Sequence, residues 1–244
     1  REKKQKDREK TQKDREKMFK IVLCYLIVCC LILQVMCEDV WGVNDDDDKI
    51  QDDEEYDHSE VTCGSIIKLE HVKTGRRLHS HNVNYGSGSG QQSITGLESA
   101  SDPNSFWVVR GAYGQAHCVQ GSRIKKGSKI RLEHLYTHKF LHSHAQHKSP
   151  LTQQQEVSGY GSSDGQASDS GDNWIVELAP SVEFWSREGK FRLRHADTGA
   201  WLASHARSFS NPIPGQNEIF ATKTKNKNSI WKVAEGFYYP KKKV

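Results

Sequence analysis

Residues 67–81 read IKLEHVKTGRRLHSH, residues 130–144 read IRLEHLYTHKFLHSH, and residues 191–205 read FRLRHADTGAWLASH. The copies are offset by 63 and 61 residues, and six columns coincide: Leu69/Leu132/Leu193, His71/His134/His195, Thr74/Thr137/Thr198, Leu78/Leu141/Leu202, Ser80/Ser143/Ser204 and His81/His144/His205. Each copy continues through a Gln/Gly-rich loop into a short apolar stretch (92–96, 155–159 and 217–221) and then a tryptophan strand carrying Trp107, Trp174 or Trp231. Alternation of period two dominates each unit, with Thr-Gly or Thr-His at the turns, and no apolar pattern of helical period follows residue 37. The reading is all-β.

Four short strands in about 60 residues, repeated three times, is the arithmetic of a β-trefoil with pseudo-threefold symmetry. Propellers are disfavoured, since they need four or more blades of about 40 residues. The domain is expected over 61–236, as units 61–121, 122–183 and 184–236. Its repeated core is expected to be Leu69, Leu78, Trp107, Leu132, Leu141, Trp174, Leu193, Leu202 and Trp231.

Outward from the repeats, the charge divides sharply. The 244-residue chain has a formal net charge of +4, but residues 1–20 carry +5, residues 38–60 carry −11 and residues 61–244 carry +10. Residues 21–36, IVLCYLIVCCLILQVM, form an apolar run behind a basic flank. It is short for a membrane span and suits a secretory signal peptide cleaved near Cys37, so residues 1–37 read as a low-complexity leader and signal, with no stable membrane span in the mature protein. The acidic stretch Asp45-Asp46-Asp47-Asp48-Lys49, then Asp52-Asp53-Glu54-Glu55, has almost no apolar content, so residues 38–60 are expected to be disordered, and residues 237–244 form a basic tail. Entry into the secretory route disfavours nucleic acid as the partner of the basic domain. Anionic glycans or acidic segments suit it better.

Cleavage of the leader would leave two cysteines, Cys63 and Cys118, in an oxidising compartment. One disulfide between them is the economical reading, and two free thiols are the alternative.

The chain contains no GxSxG, HExxH, P-loop or GxGxxG motif, so it is read as non-catalytic, with no cofactor. His79-Ser80-His81 and His142-Ser143-His144 place two imidazoles on one strand face, but the third unit reads Ala203-Ser204-His205. With no cysteine or carboxylate nearby in sequence, that is two ligands short of a structural zinc site, and no metal is expected. His71, His134 and His195, repeated by threefold symmetry, argue for a structural hydrogen bond. Alternation turns Arg76, His79, His81, Tyr136, His142 and His144 outward, making them the candidate partner-binding or ligand-binding residues. The glycine-rich stretch 86–90 reads as a flexible loop.

The repeats GSIIKLEHVKTGRRLHSH and GSKIRLEHLYTHKFLHSH, followed by Gln-rich loops and NSFWVV or DNWIVE, resemble MIR domains. A signal peptide followed by three such units and little else is similar to the stromal cell-derived factor 2 and stromal cell-derived factor 2-like family. The resemblance implies a β-trefoil in the ER lumen. It also implies a subunit of a complex between a J-domain co-chaperone and its Hsp-class ATPase, acting on unfolded client proteins. The "like" relatives end in an HDEL-type signal where this chain reads Lys241-Lys242-Lys243-Val244, so the expected location is the ER lumen or outside the cell. The competing function is a carbohydrate-binding module. For a sugar the candidate aromatics are Tyr85, Tyr136 and Trp201, which do not align across the repeats.

Overall fold

A computed structural model describes residues 56–57, 59–162, 167–239 and 241–242. The expected leader of residues 1–37 and the acidic run as far as residue 55 lie outside them. Among the described residues, no helix is long and apolar enough to cross a membrane.

Each unit supplies four strands. The first contains β2 (Ile66–His71), β3 (Arg77–Asn84), β4 (Gln92–Leu97) and β5 (Trp107–Gly111). The second contains β6 (Lys129–His134), β7 (Phe140–Lys148), β8 (Gln155–Tyr160) and β9 (Trp174–Glu177). The third contains β10 (Arg192–His195), β11 (Trp201–Ser208), β12 (Asn217–Thr222) and β13 (Trp231–Phe237). A short strand at each end, β1 (Tyr56–Asp57) and β14 (Lys241–Lys242), pairs with the other.

First and fourth strands build a barrel. Strand β2 pairs with β5, β5 with β6, β6 with β9, β9 with β10, and β13 with β2. A bridge between Phe191 and Trp231 closes the ring. Second and third strands form three hairpins whose inner strands β4, β8 and β12 all pair with one another, capping one end of the barrel. The twelve-stranded trefoil is therefore as the repeats predict.

The nine expected core residues are all fully buried, and three further columns join them: Ile67/Ile130/Phe191, Ile94/Val157/Ile219 and Val109/Val176/Val233. Each core tryptophan also donates its indole N–H to a leucine carbonyl: Trp107 to Leu78 at 2.9 Å, Trp174 to Leu141 at 2.8 Å, and Trp231 to Leu202 at 3.0 Å. One side chain thus fills the barrel and anchors the hairpin above it.

The turn between the first two strands of each unit needs a left-handed residue. Gly75 and Gly199 supply it at φ 70° and 66°, and in the middle unit His138 takes φ 57°. Its Nδ1 lies 2.9 Å from Glu133 Oε1, a local partner for a conformation that glycine reaches without help.

The ends of the domain differ from the sequence reading. Residues 56–57 and 59–60, assigned above to the disordered segment, are structured: Tyr56–Asp57 pairs with Lys241–Lys242, Glu60 bridges Ser186, and the Glu60 carboxylate is paired with the Arg123 guanidinium. The tail also packs, with Tyr239 O accepting from Thr62 Oγ1 at 2.6 Å and Arg187 lying 4.1 Å over the Tyr238 ring. Val61, Ile124 and Trp185, at the same 63- and 61-residue offsets, are buried and linked by Val61 N–H to Trp185 O and Trp185 N–H to Ile124 O. Cys63 and Cys118 form a disulfide with Cα atoms 6.1 Å apart, which removes the free-thiol alternative.

Candidate functional site

The histidine at the end of each first strand is wholly buried and held the same way three times. His71 has Nδ1 2.9 Å from Thr74 Oγ1 and Nε2 2.9 Å from Asn228 O. His134 has Nδ1 2.8 Å from Thr137 Oγ1 and Nε2 2.9 Å from Asn104 O. His195 has Nδ1 2.9 Å from Thr198 Oγ1 and Nε2 2.9 Å from Gly171 O. A carbonyl can only accept, so Nε2 carries the proton and Nδ1 accepts from the threonine hydroxyl. Each ring lies 5.0 Å, centroid to centroid, from the core tryptophan of a neighbouring strand. Burial lowers the pKa of all three, His71 to about 4, against the opposing pull of the carbonyl hydrogen bond. The column is a structural clamp, as its recurrence implies.

The second histidine group differs from the sequence reading. His79 and His142 were expected to face outward, but they are 3% and 2% exposed. Alternation is right about which sheet face they occupy. That face is covered in each unit by a single 3-10 turn: Pro103–Ser105 over β3, Ser170–Asp172 over β7 and Lys227–Ser229 over β11. His81 and His144 remain partly accessible.

The three corners so formed are unequal. In the first, His79 Nδ1 lies 3.3 Å from Ser105 Oγ and 3.9 Å from Asp102 Oδ1, while His81 Nε2 is buried without a hydrogen-bond partner. Burial lowers His79 to about 4 and also lowers His81, with Asp102 opposing both. In the second, His142 Nδ1 lies 2.8 Å from Asp172 Oδ1 and 3.7 Å from Asp169 Oδ1, and His144 Nε2 lies 3.9 Å from Asp169 Oδ2. Asp172 is fully buried and also accepts from Ser168 Oγ at 2.5 Å and Asp169 N–H at 3.0 Å. In the third, Ala203 replaces the first histidine and His205 Nε2 turns to Glu218 Oε2 at 2.9 Å. Asp169 and Asp172 escaped the sequence reading because they lie about 25 to 30 residues from the histidines. The signal available was their place just before Trp174.

The other candidates are scattered. Arg76 is half-buried, paired with Glu98 at 3.2 Å and donating to Gly215 O at 3.1 Å. Tyr136 is 57% exposed, as expected. Among the aromatic candidates for a sugar, Tyr85 is buried, its hydroxyl donating to Ile94 O at 2.8 Å. Trp201 donates its indole N–H to Glu177 at 3.0 Å. The glycine-rich loop is docked rather than loose, with Ser89 Oγ and N–H both on the buried Glu156 carboxylate. A cleft of about 570 Å³ opens beside the disulfide, with Arg110, Arg131, Glu133 and His117 on its walls.

The MIR domain family matches residues 79–233. The stromal cell-derived factor 2-like protein of Dictyostelium discoideum is 47% identical over 193 residues, which cover 78% of this chain and 89% of that protein. The crystal structure of the SDF2-like protein from Arabidopsis thaliana superposes with a TM-score of 0.71 at 44% identity, covering 74% of this chain and 98% of that one. A protein O-mannosyltransferase complex of S. cerevisiae, bound to the sugar donor, contains a similar domain. There the TM-score is 0.66 and the identity 34%, covering 79% of this chain but 27% of that one.

Proposed function

This chain belongs to the stromal cell-derived factor 2 family of MIR-domain proteins, and from that membership we propose that it acts in the secretory pathway as a non-catalytic subunit of a J-domain co-chaperone complex. The observation that carries the reading is the extent of the match: the trefoil and its short flanks account for 89% of a family relative, leaving little of that protein outside the similarity. The disulfide suits an oxidising compartment. The recurrent histidines, the residues most suggestive of chemistry, are consumed in holding strands and turns together.

In this role the trefoil is a rigid block that presents loops to the co-chaperone, its Hsp-class ATPase and unfolded clients. Of the candidate contact residues, Arg76, His81, Tyr136 and His144 retain accessible surface. The carbohydrate-binding alternative lacks a repeated aromatic platform. Tyr85 is buried, and the positions equivalent to Tyr136 hold Lys73 and Asp197.

Affinity capture from an ER-lumenal extract separates the two. Stoichiometric recovery of a J-domain protein, unaffected by competing mannose, is the expected result. Elution by a simple sugar with no co-chaperone recovered would overturn the proposal.

A further inference from the structure

We propose that the corner formed by His142, His144 and Asp169 is a binding site for one zinc ion, assembled in the middle unit and in neither of the others. One ring nitrogen of each histidine and one carboxylate oxygen of Asp169 lie within 4.8 Å of one another, the one such group among the described residues. Imidazole nitrogen and carboxylate oxygen are ordinary zinc donors. Ligands at about 2.0–2.1 Å in a tetrahedron stand roughly 3.3 Å apart. The three donor atoms stand up to 4.8 Å apart, with His144 Nε2 3.9 Å from Asp169 Oδ2, so shifts of up to about 1.5 Å close the set. Three protein donors leave a fourth position for water or for a side chain of another molecule.

Three further features favour the site. The buried Asp172 carboxylate accepts from His142 Nδ1 at 2.8 Å, so a zinc ion held through Nε2 keeps that bond as its outer support, as outer carboxylates fix metal-bound histidines. The two imidazoles already meet edge to face with centroids 4.6 Å apart. Residue 171, between them and Asp169, has no side chain. A Cβ there would lie 2.6 Å from His142 Cε1, 3.0 Å from His144 Cε1 and 3.0 Å from Asp169 Oδ1. In the other two turns the same position is Asn104 and Asn228.

The sister units provide the internal contrast. Unit one keeps His79, His81 and Asp102, but its rings stand 5.3 Å apart and its ligand atoms do not all fall within 4.8 Å of one another. Unit three has Ala203 and Asn226 in place of a histidine and the aspartate. The trio arises where the symmetry is broken.

Calorimetric titration of the intact, chelator-treated and dialysed protein with zinc chloride tests the assignment. The expected result is one equivalent bound, weakened at least about tenfold by Asp169→Asn and by His144→Gln, and unchanged by His81→Gln. Asp169→Asn keeps the turn's capping oxygen, the role Asn226 already fills in unit three, so loss of zinc cannot be ascribed to a lost cap. Absence of zinc binding, or binding that survives both middle-unit substitutions, would overturn the proposal. So would equal loss in His81→Gln. The co-chaperone capture assay, run in parallel on Asp169→Asn, keeps this outcome distinct from that of the proposed function.

Discussion

Two sets of histidines lie on adjacent strands of every unit and meet different fates. His71, His134 and His195 repeat their partners almost to the tenth of an ångström, with Thr74, Thr137 or Thr198 on one nitrogen and a backbone carbonyl on the other. The corners beneath the 3-10 turns share a backbone but not a chemistry: His79/His81/Asp102 in unit one, His142/His144/Asp169/Asp172 in unit two, and Ala203/His205/Asn226 in unit three. The carbonyl that clamps each symmetric histidine belongs to the 3-10 turn itself (Asn104, Gly171 or Asn228), so the constant set holds the variable set in place. What threefold symmetry preserves is scaffold. What breaks it is free to specialise.

The comparison breaks most violently at the tryptophans beneath both sets. Trp107→Ala, Trp174→Ala or Trp231→Ala removes a fully buried ring and unpairs a leucine carbonyl, so each is expected to lower unfolding free energy by about 4–5 kcal/mol in chemical denaturation. Next is the disulfide, which breaks the symmetry because it occurs in unit one alone. Cys63→Ala/Cys118→Ala opens a crosslink of 55 residues and is expected to cost about 4 kcal/mol, with a matching drop in melting temperature when wild type is reduced.

The third test is pH. The folded pKa of His71 is about 4, against an ordinary 6.5, so as the pH falls the unfolded chain takes up the proton first. Its contribution is intact above about pH 6.5, declines between 6.5 and 4, and is fully lost below that, about 3 kcal/mol for this residue. His79, lowered to about 4, behaves in the same direction. Unfolding free energy measured across that window should fall with acid, less steeply in His71→Gln by one proton's worth of slope. A flat profile in wild type would contradict neutral buried histidines.

A smaller effect sharpens the contrast between corners. Gly171→Ala forces His142 and His144 apart and is expected to destabilise by about 1–3 kcal/mol, whereas Asn104→Ala and Asn228→Ala add no atoms in that space. Smallest of all, Tyr136→Ala at a 57% exposed position should change stability by less than about 0.5 kcal/mol.

The fold was largely legible because its signal is repetition: Leu69, His71, Leu78 and Trp107 each recur at fixed offsets, and core positions tolerate little variation. The site was legible in part. Alternation put His79 and His142 on the correct face but could not reveal that a 3-10 turn from about 25–30 residues downstream covers it. The same distance hid Asp169 and Asp172. The domain's ends were misjudged because a strand of two residues has no period to read, and because Glu60 is held by Arg123, a pairing across 63 residues that composition cannot show.

The central claim is that the recurrent histidines are equivalent parts of one scaffold. Equilibrium urea unfolding of His71→Ala, His134→Ala and His195→Ala tests it most directly. Each variant loses a buried ring and leaves a carbonyl without its donor and a threonine hydroxyl proton without its acceptor, so each should lose about 3 kcal/mol or more, the three agreeing within about 1 kcal/mol. A near-wild-type stability in any one of them, beside a severe loss in the others, would contradict it.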